Sequence, residues 1–568
     1  GSARKAECIS ARQKGGKASA VWTPDIPERG EYAVYVSYKT LPNSTESAHY
    51  TVKHLGGETH FIVNQTMGGG TWIYLGTFEF GKGTGGKVTL DNVSPAGRTF
   101  VPGKTVTADA VKIGGGYGNI ARKCQNDSIA APELSGMPRF AEGARYWMQW
   151  AGSDTSVYSQ NKQLDDYMDD FMSRGKWVQE LSGGSSVNPK GEGRNIPIDM
   201  AFAFHSDAGT SPGDSIIGTL GIYTLLCENS SRFPDRSSRM TSRELTDLVQ
   251  SQVVHDLRAG YDSLWSRRHI WDRSYSESRT TGVPTMLLEV MSHQNFADMK
   301  HGLDPAFRFT VSRAVYKGIL KYLSNRYGCD YAVQPLPVNS FSVRFRMKNG
   351  SPHAFLSWKE TADTLEPTAT AENYILYTKV DDGAFDTGKP VRTFGTSGGM
   401  TAAEVPIRPG HIYSYRIAAY NSGGIGFPSE TLSIGLPEGY KHDEAGNRRH
   451  QVDSAVLIVN NFDRVSCPAW FDTPQYAGFD NTLDSGVPYM RDFTYIGEMY
   501  QYRRSMPWTD DDNAGFGASY SDYAGKTVAG NTFDYPYVHG KAVLAAGYPF
   551  FSASAKAFVS DSTLRQQA

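Results

Sequence analysis

Two apolar runs, each stopping on an ionisable residue, constrain this chain more than anything else in it. The first is Asn195-Ile-Pro-Ile-Asp-Met-Ala-Phe-Ala-Phe-His205-Ser-Asp-Ala-Gly209. Ile198, Met200, Phe202 and Phe204 alternate with other residues and end at His205, where a small, polar loop begins. The second, Pro284-Thr-Met-Leu-Leu-Glu289-Val-Met-Ser-His293, delivers Glu289 in the same way. A buried strand that ends on a polar side chain is how an α/β sheet presents chemistry at the carboxyl ends of its strands. Three stretches with helical spacing surround the two runs. Residues 165–181 carry Met168, Phe171, Met172, Trp177, Val178 and Leu181; residues 242–257 carry Leu245, Leu248, Val249, Val253 and Leu257, with Thr241 or Ser242 as the cap; residues 304–323 have Pro305 in the first turn. Strands alternating with helices predict a parallel or mixed sheet with helices on its faces over residues 116–332.

The flanks have a different period. Residues 32–38, 49–54 and 71–80 alternate every second residue and are separated by Gly, Asn and Pro clusters, which predicts a β-sandwich over 1–115. Residues 333–437 return to this pattern. A polar linker over 439–449 precedes Ala455-Val-Leu-Ile-Val459, a continuous apolar strand of the kind found in parallel sheets, so 450–568 reads as a second α/β module with few elements. The fold class is therefore multidomain: β-sandwich, α/β sheet with flanking helices, β-sandwich, C-terminal α/β module.

Charge and composition exclude several functions. The net charge of −2 leaves no polycationic surface for nucleic acid or an anionic membrane. No run of about 18 apolar residues exists to span a bilayer. The five cysteines form no CxxC pair and have no metal spacing; isolated thiols, or one bridge such as Cys8 to Cys124, both fit. Asp510-Asp-Asp-Asn513 reads either as a calcium loop or as a solvated acidic turn. Gly1-Ser2-Ala3 reads as a processed or engineered end. No nucleophile elbow, Walker A loop or dinucleotide fingerprint occurs in strand–helix context.

Three resemblances sharpen the expectations. Residues 32–38 (YAVYVSY), 50–65, 68–80 (GGGTWIYLGTFEF) and 106–114 resemble the golvesin-type, carbohydrate-binding-like module associated with xanthan lyases. This resemblance implies glycan binding, with Trp72 and Tyr74 as stacking residues; an inter-sheet role for Trp72 is the alternative. Phe355-Leu-Ser-Trp358, Tyr374-Ile-Leu-Tyr377 and Tyr413-Ser-Tyr-Arg-Ile-Ala-Ala-Tyr-Asn421 resemble a fibronectin type III domain, a spacer or docking unit. Residues 116–332 resemble zinc-dependent N-acetylmuramoyl-L-alanine amidases. The match rests on a helix with Asp169 and Arg174, on Phe202-Ala-Phe-His205-Ser-Asp-Ala, on Pro284-Thr-Met-Leu-Leu-Glu289-Val-Met-Ser-His-Gln-Asn295, and on the helix that follows.

The amidase resemblance implies His205 as a zinc ligand and Glu289 as the acid/base, with Arg174 on the matching helix as a substrate-binding candidate. Asp207, beside a Gly/Ser/Thr-rich loop, reads either as a substrate-binding residue lining the cleft or as a turn former, and His293, four residues after Glu289, either as a contact to substrate or metal or as a solvent-facing loop residue. The family's His-Gly-Gly motif and its following glutamate are missing from this chain. Either an N-terminal fragment of the same protein completes the α/β domain, or the site is degenerate and binds glycan without cutting. Together the resemblances imply an exported protein of Bacteroidota type, periplasmic or on the outer cell surface. Its partner would be cell-wall or extracellular glycan, and its reaction amide hydrolysis on peptidoglycan or a related glycopeptide. A xanthan-type polysaccharide lyase is a further alternative.

Overall fold

The computed structural model describes residues 18–93, 103–114, 143–162, 164–211, 215–396, 399–439, 455–462, 464–492, 495, 497, 499–503, 523, 528–561 and 564. The Cys8–Cys124 pairing, the 510–513 loop and most of the 439–449 linker lie outside these residues.

The N-terminal period-two segments become β1 (Ser19–Trp22), β2 (Gly30–Ser37), β3 (Ala48–His54), β4 (Gly57–Val63), β5 (Ile73–Phe80), β6 (Lys87–Asp91) and β7 (Ala110–Ile113). They form two antiparallel sheets, ordered β1-β6-β3-β4 and β5-β2-β7. Alternate side chains (Val34, Val36, Tyr50, Val52, Val88, Leu90) bury between them, as a sandwich requires. The sandwich is bonded to the segment that leads into the α/β unit. Gly68 N donates to Arg194 O at 2.7 Å, Arg194 Nη1 donates to Gly69 O at 3.1 Å, and Asn195 Nδ2 donates to Thr66 O at 3.2 Å.

The α/β unit comprises α1 (Ala144–Ala151), α2 (Thr155–Tyr158), α3 (Asp166–Ser182), β8 (Ala201–Asp207), β9 (Thr219–Tyr223), α4 (Met240–Gly260), β10 (Arg267–Asp272), α5 (Ser276–Arg279), β11 (Thr285–Ser292), α6 (Phe296–Gly302) and α7 (Pro305–Tyr327). Its sheet runs β10-β9-β11-β8 and is mixed: β10 lies parallel to β9, β9 antiparallel to β11, and β11 parallel to β8. Both sequence-predicted strands are present. α4 buries Leu245, Val249, Val253 and Leu257 of its predicted stripe, and α7 buries Phe307 and Val311 beside it, against Met286 and Leu288. Asp304 caps α7 through Ala306 N at 2.9 Å, with Pro305 in the first turn. The capping expectation for α4 is corrected. Its N-cap is Arg239 with no side-chain cap bond, while Ser242 lies inside the helix and its Oγ accepts from Thr285 N at 3.0 Å, tying α4 to β11. The α3 stripe is also corrected in destination. Met168 and Trp177 are exposed, and Trp177, Val178 and Leu181 line a cleft rather than a closed core.

The C-terminal third departs from the expected division. Strands 339–348, 351–359 and 401–406 form one side of a fibronectin-like sandwich and 373–380, 412–421 and 432–435 the other, around fully buried Trp358. Strand Phe550–Ser554 inserts between 432–435 and 339–348, antiparallel to both, and Val456–Asn460 lies parallel beside it. The expectation of a separate α/β module over 450–568 is therefore corrected: the apolar runs 455–459 and 550–554 complete the sandwich of 333–437. Between them, the sheet of 469–472, 476–480 and 499–503 packs Phe479 and Ala477 on Phe296, Met299 and Leu303 of the α/β unit.

The α4–α7 contact is close-packed at Gly318. A Cβ on Gly318 would come within 2.7 Å of Val249 Cα. We expect Gly318→Ala to cost about 1–3 kcal/mol through overpacking and to lower the thermal transition. An unchanged transition would show that the helices sit further apart.

Candidate active site

The register of β8 against β11 places His205 opposite Glu289, and both strands deliver these residues near their carboxyl ends. The short α5, which follows β10, adds a third group. His205 Nε2 is hydrogen-bonded to Glu277 Oε1, and the second oxygen of Glu277 accepts from Arg174 Nη1 at 2.9 Å. Arg174 Nη2 in turn donates to Asp170 Oδ2 at 2.8 Å, one helical turn away on α3. Beyond Glu289, Asp207 is ion-paired with Arg268 of β10. His293 closes the rim: its Nδ1 lies 3.1 Å from Ser206 Oγ, and its backbone N donates to Asp207 O at 3.0 Å.

Burial and charge set the protonation of the three central groups. The hydrogen bond to Glu277 raises the His205 imidazole above its ordinary value against the opposing effect of burial, and the charges of Glu277 and Glu289 add to it. Burial alone would raise the Glu277 carboxyl, but the hydrogen bonds and charges of His205 and Arg174 outweigh it and hold it below the ordinary range. Glu289 goes the other way. Desolvation pushes it up to about 7, the charges of Asp207 and Glu277 add to this, and His205 and Arg268 oppose it. Its Oε2 is buried and makes no hydrogen bond. Two neighbouring carboxyls thus differ in protonation at neutral pH, the pattern that separates acid and base roles.

A cleft of about 840 Å³ opens beside His205, between β8 on one side and α1 and α3 on the other. Trp147, Met148, Trp177, Leu181, Phe202 and Phe204 supply its apolar wall; Arg174, His205, Ser206 and Glu277 form its polar end. Glu289 is one strand further in, behind His205.

The sequence-predicted residues divide accordingly. His205, Glu289, Asp207, His293 and Arg174 come together at one end of the sheet. Asp207 and Arg174 are already committed, to Arg268 and to Glu277 with Asp170, so each acts on the site through a partner rather than by reaching for substrate. Asp169 is buried in α3 and accepts from Asn161 N at 2.6 Å, a structural role. Trp72 does not line this cleft. Lys112 Nζ sits 4.3 Å over its ring and 3.6 Å over that of Trp150, and donates to Trp150 O at 2.9 Å. This is a cation–π joint between the sandwich and α1, so the stacking face expected of Trp72 is turned to a lysine. Tyr74 is 55% exposed and borders a separate pocket of about 340 Å³ on the sandwich, so its ring remains open to a ligand. Sequence reasoning missed Glu277, Arg268 and the cleft tryptophans. The only signal for Glu277 was an isolated acidic residue in Tyr-Ser-Glu-Ser-Arg, immediately before the Glu289 strand.

With this geometry in view, similarity to known proteins can be placed. Residues 4–115 match the Golvesin C-terminal domain. A xanthan lyase of Bacillus sp. (strain GL1) is 38% identical over 98 residues, which is 17% of this chain and 10% of that protein; the chain thus spans about a tenth of that relative's length. Among solved structures, the CwlD amidase of Clostridioides difficile in complex with the GerS lipoprotein aligns with 30% of this chain and 70% of its own, at 17% identity and a TM-score of 0.21. A human FNIII domain aligns with 18% of this chain and 80% of its own, at 18% identity and a TM-score of 0.15. At such scores the functional argument rests on the residues themselves. No helix among the described residues is long and apolar enough to cross a membrane.

The raised Glu289 carboxyl has a thermodynamic consequence. A carboxyl whose folded value lies above its unfolded value costs the fold stability once the unfolded chain ionises. The cost is absent below about pH 4, grows between roughly 4.5 and 7, and is complete above 7. Glu289→Gln removes the charge. It is expected to match wild type at pH 4 and to exceed it by up to about 2 kcal/mol above pH 7, after allowance for solvent screening. Denaturant unfolding across this range measures it; a constant difference would show that Glu289 titrates normally.

Proposed function

We propose that this chain is an extracellular, glycan-directed protein whose α/β unit hydrolyses an amide bond of peptidoglycan or a related glycopeptide, with Glu289 as the proton-transfer group. The observation that carries the proposal is Glu289 itself: a half-buried carboxyl with one unpartnered oxygen, poised near neutrality beside a histidine at the end of a cleft. A general base works best when its pKa lies near the operating pH. In its ionised form Glu289 takes a proton from the water that attacks the scissile carbonyl, forming the C–O bond. It then returns that proton to the departing amine as the C–N bond breaks. Glu277 holds the His205 imidazole above its ordinary value, His205 in turn favours the ionised form of Glu289, and Arg174 fixes Glu277 in place.

The amidase resemblance implies a zinc ion, which in catalytic sites takes three protein ligands and leaves one position for water. His205 and Glu277 form one imidazole–carboxylate pair of suitable chemistry. No group of three His, Cys, Asp or Glu side chains able to hold a metal occurs among the described residues. The residues described here do not make a complete zinc centre, and the proton transfer above is derived without one. One observation favours the binding-only reading: Glu277 and Arg174 satisfy His205 internally, as expected if the site no longer turns over.

The test is release of new amino groups from peptidoglycan by wild type and by E289Q, with metal content measured on the same samples. The proposal predicts measurable release and a fall of about 10²-fold or more in E289Q. Unchanged binding of peptidoglycan with no release by wild type would favour the binding-only protein. Release that tracks one zinc per chain would show that ligands outside the described residues complete a metal centre.

A further inference from the structure

The outer face of the β1-β6-β3-β4 sheet gathers two histidines and a carboxylate from three strands. Alternation along the strands puts them there. Tyr50 and Val52 of β3 and Leu90 of β6 point into the sandwich core, so His49, Thr51 and Asp91 stand on the opposite face. On β4, Phe61 packs toward that core and His60 is turned outward. The register pairs His49 with Asp91 and Thr51 with His60. The side chains meet accordingly. His49 Nδ1 lies 3.0 Å from Asp91 Oδ2, and His49 Nε2 lies 3.2 Å from His60 Nδ1, which is also 3.1 Å from Thr51 Oγ1. Asp91 is itself fixed, because its Oδ1 accepts from Val93 N at 2.8 Å.

We propose that His49 Nε2 and His60 Nδ1 bind one divalent ion of the zinc–copper class, with Asp91 as the positioning residue. An ionised carboxylate only accepts hydrogen bonds, so the proton of neutral His49 is on Nδ1, facing Asp91, and its Nε2 lone pair is turned to His60. A carboxylate that orients a histidine in this way is the usual support of a metal-bound imidazole. The spacing fits as well. Two nitrogens held about 2.0–2.1 Å from one tetrahedral ion stand roughly 3.3 Å apart, and these two are 3.2 Å apart. His49 is 8% exposed and held between its neighbours, whereas His60 is exposed, so an ion has an entry path from solvent. Imidazole nitrogens select zinc, copper or nickel over calcium and magnesium, which take oxygen. Asp91 Oδ2 is committed to His49, so the chain supplies two ligands, and water or an oxygen atom of an approaching ligand completes the coordination. Two ligands hold an ion less tightly than the three or four of a resident zinc, so occupancy follows the metal concentration, and copper binds more tightly than zinc. In the metal-free chain a proton on His60 Nδ1 bridges the two nitrogens; the ion displaces it.

Calorimetric titration of the purified full chain with zinc, copper(II) and calcium chlorides reads binding. Electron paramagnetic resonance of the copper(II) form reads the coordinating nitrogens. The proposal predicts saturable binding of copper, weaker binding of zinc, no response to calcium, and hyperfine structure from two imidazole nitrogens. His60→Ala, on the exposed face, should weaken zinc binding tenfold or more, with His205→Ala close to wild type. Asp91→Asn keeps both ligands but loses the anionic partner of His49, and should weaken binding by about 10–100-fold. Equal zinc affinity in wild type and His60→Ala, loss of the ion in His205→Ala instead, or a copper spectrum without two coordinating imidazoles would overturn it. The nitrogen count is made on the wild-type chain, so a variant that fails to fold does not decide the outcome. The zinc content of His60→Ala also separates this ion from any held at His205, so the failure of one proposal leaves the other standing.

Discussion

The in-register parallel pairing of β8 with β11 is the contact on which the rest of this site depends. It sets His205 opposite Glu289, so an imidazole held above its ordinary value stands beside a carboxyl that burial pushes up to about 7. Slipping the register by one residue would turn one of these side chains to the opposite face of the sheet. The register is held from both sides. Met286 and Leu288 pack onto the α4–α7 layer, and Leu287 packs with Leu220 and Ile222 on the other face. The helices in turn are joined by a buried ion pair, Lys317 Nζ to Asp256 Oδ2 at 2.6 Å, with both side chains almost wholly excluded from solvent. Such a pair contributes little net stability, but losing either partner leaves a buried charge uncompensated. The core behind the site is therefore unforgiving of local rearrangement, which keeps the two reactive strands in one alignment.

The electrostatics of the site follow from an asymmetry in how three carboxylates are satisfied. Asp207 has Arg268. Glu277 has both His205 and Arg174, and Arg174 is anchored by Asp170. Glu289 sits among these groups with one oxygen unpaired. The protein has placed its cations on the neighbours and left the central carboxyl to desolvation. That arrangement costs stability, and such costs concentrate where chemistry is done.

Much of this was legible from residue pattern. Alternation in 198–204 and the apolar run 284–288 identify β8 and β11, and the 3.6-residue stripes identify α4 and α7, because each of these elements buries one face completely. Legibility fails where the deciding fact is a long-range partner. Glu277 stands on a four-residue helix with no period to read, and only the fold brings it to His205 across 72 positions of sequence. Trp72 reads as a sugar platform until Lys112 and Trp150 are seen to take its face. The apolar run 455–459 reads correctly as a strand, and 550–554 forms a second one beside it. Their placement inside a sandwich built mainly from 339–435 depends on edge pairing across more than a hundred residues, which no local signal specifies. The α3 stripe shows the converse: helical spacing of apolar residues identified the helix, yet that face borders a cleft.

The central claim is that Glu289 is a carboxyl tuned to neutral pH by its surroundings. Carbon-13 NMR of the chain labelled at glutamate δ-carbons, with E289Q assigning the resonance, measures this directly. The account predicts that the Glu289 signal titrates with a midpoint near 7, well apart from the exposed glutamates. A midpoint in the ordinary range of about 4.3 would contradict it and remove the physical basis for proton transfer at this site.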